Sequence, residues 1–100
     1  MQKLLSILYD ENATEAEKDD AIIDLSDSDN IEVETSLVAA TKELHLSNML
    51  LSSIGETLAN IWIRKGRIDF NKLALLPFIA RDEAIRCVKN VNPTLLDIKD

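Results

Sequence analysis

Between Ser47 and Gly66 the chain reads SNMLLSSIGETLANIWIRKG, and this stretch constrains the fold more than any other. Leu50, Leu51, Ile54, Leu58, Ile61 and Trp62 recur at i, i+3, i+4 and i+7, the period of one face of an α-helix. Ser47 is placed to accept from a free backbone N–H at the helix start, and Gly66 to close the helix in a left-handed conformation. Met49 and Ile63 fall on the opposite side, so the pattern predicts neighbours on two sides. Gly55 sits mid-helix, where it costs about 1 kcal/mol relative to Ala. A second helix crossing there at short range would account for it.

The flanking sequence is organised around that helix. Residues 2–9 predict a short helix with Leu4, Leu5 and Leu8 inward. Thr14-Glu15-Ala16-Glu17 is a capping box opening a helix to about Leu25, with Ala21, Ile22 and Leu25 on its core side. After the turn Ser26–Asn30, Asp29 with Glu32 forms a second capping box, and a third helix runs from about Ile31 to His45. Its core stripe is Val33, Leu37, Ala40 and Leu44. Asp69 caps a short helix over Phe70–Leu76, and Pro77 suits the first position of the next. That helix carries Ala80, Ala84, Cys87, Val88 and Val91 as its stripe. A last turn follows Pro93 with Leu95, Leu96 and Ile98. No segment alternates with period two long enough for a strand. The expectation is all-α: one domain, residues 1–100, of six or seven short antiparallel helices.

Charge narrows the function. The net charge is -7, but it is lopsided. From Asp10 to Glu34 there are eleven acids and one base, Lys18, while the rest of the chain is net basic. Such a segment repels nucleic acid and anionic lipid and attracts a basic partner. Glu17, Asp20, Asp24 and Asp27 recur every three or four residues and so stack in one line, opposite Ala21, Ile22 and Leu25. The plain reading is a solvated face of helix-start acids. The functional reading is a docking surface made of Glu17, Asp20, Asp24, Asp27, Asp29, Glu32 and Glu34. Like charges one turn apart repel, and a basic partner would relieve that cost.

The rest of the sequence offers little chemistry. His45 is the only histidine and has no identifiable nucleophile or orienting partner. Cys87, the only cysteine, lies on an apolar stripe and reads as an inert core thiol. Asp27-Ser28-Asp29-Asn30 starts like a calcium loop, but Ile31 and Glu32 break the pattern. Arg64-Lys65-Gly66-Arg67 is a small basic cluster where a helix C-terminus favours cations anyway. With few aromatics it makes a poor nucleic-acid site. The expectation is a non-enzyme with no cofactor and no metal. The N-terminus lacks the features of a signal peptide and no apolar run would cross a bilayer, so the chain reads as cytoplasmic with no membrane role.

The segment Leu25–Leu44, LSDSDNIEVETSLVAATKEL, resembles the turn and second helix of a HEAT repeat, with Asp27, Asp29, Val33, Ala39 and Ala40 at the characteristic places. Asn30 stands where that family usually has Pro, and Glu34 where it has Arg. Asp69–Val91 repeats the layout weakly. The resemblance implies stacked HEAT-like α-hairpins. Small acidic HEAT-like proteins are similar to the immunity proteins of bacterial polymorphic toxin systems, contact-dependent growth inhibition among them. That similarity implies an antitoxin that binds and neutralises a cationic toxin domain, a nuclease, through its acidic face. The alternative is a non-enzymatic adaptor of α-solenoid type that holds a peptide or protein subunit in a groove.

Overall fold

The computed structural model describes residues 2–97. Six α-helices follow one another: α1 (Gln2–Tyr9), α2 (Glu15–Asp24), α3 (Glu32–Glu43), α4 (Asn48–Lys65), α5 (Phe70–Leu75) and α6 (Phe78–Val91). One 3-10 turn, Leu25–Asp27, follows α2, and another, Pro93–Leu96, follows α6. The described residues contain no strand, so the chain is all-α. None of these helices is long and apolar enough to cross a membrane.

The central helix α4 forms as its sequence dictates. Ser47 is its cap, accepting from the Leu50 N–H. Gly66 closes it at φ 76, and a Schellman turn follows in which Gly66 N–H donates to Ile63 O and Arg67 N–H to Trp62 O. Leu50, Ile54, Leu58, Ile61 and Trp62 are all buried, whereas Met49 is exposed and Ile63 half-buried. The main partner of α4 is α6, followed by α2. At the α4–α6 crossing, a Cβ on Gly55 would lie 2.2 Å from Ala80 O, so the close approach expected at that glycine is real. Thr57 is buried against α2, where its hydroxyl donates to Ile22 O at 3.1 Å. One buried apolar cluster gathers Leu8, Ile22, Leu25, Leu37, Leu58 and Val88 from helices along the whole chain.

Several boundaries differ from the sequence reading, each for a local reason. The capping box at Thr14 and Glu17 is present with both bonds made. The second one is not. Asn30, not Asp29, satisfies the start of α3, with its Oδ1 accepting from Glu32 N–H at 2.9 Å, because Ile31 already has helical backbone angles. The helix α3 ends at Glu43, where Leu44 turns extended, and so His45 lies beyond it. Pro77 is the cap of α6 instead of its first residue. Val91 ends that helix exposed, and Cys87 is only half-buried. Ile98, expected to pack in the last turn, lies outside the described residues. Helices α2 and α3 touch little: α2 packs on α1 and α4, and α3 on α5 and α4. The HEAT-like pairing of successive hairpins expected from Leu25–Leu44 is not evident in this packing.

Candidate functional site

The acidic edge is built on α2 and the turn after it. The register of α2 buries Ala21 and Ile22 and turns Glu17, Asp20 and Asp24 outward, and the 3-10 turn buries Leu25 while leaving Asp27 exposed. Among the described residues, none of Glu17, Asp20, Asp24, Asp27 or Glu32 has a Lys or Arg nitrogen within 4.0 Å. Glu17 is engaged in its capping box, and the hydrogen bonds from Thr14 hold its carboxyl below the ordinary value. Ile23, at the margin of the same face, is 47% exposed. The pattern of charges offered no reason to single it out.

Not every acid of the run belongs to that edge. Glu15 accepts from the Ser47 hydroxyl and Asp19 from the Ser53 hydroxyl, which fastens α2 to α4. Asp29 is exposed but lies 3.5 Å from the Arg64 guanidinium. Arg64 also donates to the carbonyls of Ser26 and Ser28, so it clamps the turn to the end of α4.

Glu34 is the clear correction. Expected on the acidic face, it is instead 4% exposed. Its Oε1 accepts from the Trp62 indole N–H at 2.6 Å and its Oε2 from Lys65 Nζ at 2.7 Å, with Lys72 Nζ 3.7 Å from Oε1. Burial pushes this carboxyl up, but the bonds from Lys65 and Trp62 and the charges of Lys72 and Lys65 together outweigh it, and the group is held below its ordinary value. The physical reason is Trp62. A buried indole N–H needs an acceptor, and Glu34 is the one that α3 brings to it. The carboxylate in turn needs cations, which α4 and α5 supply. Ile31, Glu34, Trp62, Lys65, Arg67, Asp69 and Lys72 line a small cavity of about 50 Å³.

The remaining polar groups have structural accounts. Glu56, Glu83 and Cys87 bring their ligand atoms within 4.8 Å of one another. Glu83, however, is engaged by Arg86, by Ser52 and by the Cys87 thiol, and the Arg86 charge opposes a cation there. Burial and the Glu83 carboxylate push the Cys87 thiol up to about 11, which keeps it protonated and unreactive at neutral pH. Tyr9 donates to Glu43 and is pushed up to about 12 by that bond. His45 is exposed, and no side chain is hydrogen-bonded to it among the described residues.

No protein-family model matches this chain, and no curated protein or solved structure matches it.

Proposed function

We propose that this protein is a non-enzymatic inhibitor that binds a basic protein partner through the acidic edge of α2 and the following turn. The partner class suggested by the chain's resemblance is a cationic bacterial toxin domain, a nuclease, with the chain acting in the cytoplasm as its immunity protein. The observation that supports the reading is an exposed acidic run on one edge. Glu17, Asp20, Asp24, Asp27 and Glu32 lie close in sequence, all are exposed, and among the described residues none has a Lys or Arg nitrogen within 4.0 Å, whereas Asp29 and Glu34 of the same run have cations at hand. An active site that holds phosphates is positively charged, so an uncompensated acidic edge is its complement. Ile23 supplies an apolar contact at the margin.

The test is protection of cells that express a basic nuclease toxin domain, sought first in the gene next to this one. Reversing Asp20, Asp24 and Asp27 to Lys should abolish protection while the fold persists. Reversing Asp97, together with residue 100, which lies outside the described residues, should not. Protection by the triple reversal would remove the acidic edge as the binding surface.

One observation favours the adaptor instead. Phe78 is 70% and Leu75 52% exposed, close together where α5 gives way to α6. Loss of partner binding in Phe78→Asp, with the triple reversal intact, would move the interface there.

A further inference from the structure

The end of α4 carries three cations, and the fold uses them unequally. Arg64 clamps the turn before α3, and Lys65 holds Glu34. Arg67 has no acid within 4.0 Å among the described residues. It reaches the cavity because the Schellman turn at Gly66 sends the chain back, with Arg67 N–H bonded to Trp62 O at 3.1 Å.

Around this cavity, hydrogen-bond donors outnumber acceptors. A Lys ammonium has three N–H bonds and an Arg guanidinium five, while neither can accept. Glu34 takes one bond from Lys65 and one from the indole, and Lys72 lies near both Glu34 and Asp69. The Oδ1 of Asp69 is already engaged by the Lys72 backbone N–H. Three cations therefore face two carboxylates, which together offer fewer acceptor sites than the cations have N–H bonds. No buried side-chain nitrogen or oxygen is left without a partner among the described residues. The surplus thus lies in the partly exposed heads of Lys65, Lys72 and Arg67 and not in the core. At about 50 Å³ the cavity has room for a single small group. A water needs at least roughly 10–15 Å³ of such space.

We infer that this cavity binds one oxyanion group, a carboxylate or a phosphate, which Arg67 grips while Lys65 and Lys72 donate their spare N–H bonds. Glu34 makes the site possible in the free protein. With Asp69 it offsets the two ammonium charges, so that they stay gathered without a ligand, and the Arg67 charge is left without an acid within 4.0 Å among the described residues. The inference does not depend on the acidic edge, which lies on other residues and has the opposite charge. Two sources share this chemistry: a small free anion, or an acidic side chain of a bound protein.

Trp62 is the only tryptophan and lines the cavity, so its fluorescence and its indole N–H resonance report occupancy directly. Inorganic phosphate and acetate are titrated separately against chloride at matched ionic strength, using the whole chain. A saturable response beyond that of chloride is expected. Arg67→Gln should weaken it about tenfold or more, the cost of one charge-assisted contact. Lys89→Gln, a basic residue outside the cavity lining, should leave it unchanged. A response to both anions shows a general oxyanion site, and a response to acetate alone assigns it to carboxylates. A response to phosphate alone assigns it to phosphoryl groups. If neither anion differs from chloride, or if Arg67→Gln binds as the parent does while its circular dichroism is unchanged, the cavity is not an anion site.

Discussion

Asp24 and Glu34 belong to the same acidic run, yet the fold treats them as different materials. Asp24 stands in solvent with no Lys or Arg nitrogen within 4.0 Å among the described residues. Glu34 is enclosed, with an indole and two lysines around it. Water solvates the first carboxylate, whereas the second depends on its three partners because few waters reach it. A charge count weighs both equally, although only one contributes to the field that an approaching protein would feel. The other holds α3 to α4 and α5. The difference shows that local density of charge does not define an acidic surface. Burial must be known residue by residue.

The widest gap between the two regions should be in stability. Glu34→Leu leaves Lys65 and the Trp62 N–H without their acceptor and Lys72 with Asp69 alone, and should cost about 3 kcal/mol, the low end for a broken buried pair because both lysines keep a path to water. Glu34→Gln should cost less, since the amide oxygen can still accept the indole N–H. Asp24→Leu should leave the urea midpoint almost where it was. Equal losses at the two positions would end the distinction.

Acid should expose the same contrast. The Glu34 carboxyl is held below the ordinary 4.5 in the folded state. Its contribution is therefore complete above that value and is lost as pH falls through the lower, folded one, because the unfolded chain takes up the proton first. Unfolding free energy should fall as pH drops below about 4.5. In Glu34→Gln the fall should be shallower. A parallel acid dependence in parent and variant would mean that other carboxylates govern it.

Much of the architecture is legible in the sequence because its signals are local. Ser47, Gly66, Asp69 and the Thr14–Glu17 box act within one turn of their own position, and each does what its chemistry requires. Gly55 is also readable, since an unfavourable glycine inside a strong helix calls for a close neighbour. The Asp29–Glu32 box fails because two acids and an Asn compete for the same N–H groups, and the backbone at Ile31 decides in favour of Asn30. Glu34 could have been found: Val38, one turn on, is buried, and a core Trp62 requires an acceptor. The cavity could not, because Arg67, Lys72 and Glu34 meet only in three dimensions. Ile23 was hidden by its acidic neighbours.

Arg64 joins the two regions, and removing it should have an intermediate effect. Arg64→Ala frees the carbonyls of Ser26 and Ser28 and releases Asp29. Water can replace the lost bonds at this exposed turn, so the cost should be about 1 kcal/mol. Amide hydrogen exchange should accelerate from Leu25 to Val33 and stay unchanged in the middle of α4. Uniform acceleration would show that the clamp supports the whole fold and not the turn alone.

The smallest expected change in stability belongs to the residues with the largest proposed role. Reversing Asp20, Asp24 and Asp27 to Lys replaces a line of like charges with another, on a face that makes no ion pair within the described fold. The new lysine at position 20 also gains Glu17, one turn before it on α2, as a neighbouring acid of opposite sign. The melting temperature should therefore hold or rise slightly. Association with a basic partner should slow sharply, and its dependence on salt should reverse, since added salt then screens a local repulsion where it screened an attraction before, with a screening length of about 8 Å at 0.15 M. A variant that melts early would show that these carboxylates have structural partners after all. One that melts normally and still associates at the parent's rate, with the parent's salt dependence, would leave the acidic edge as a solvated face and nothing more.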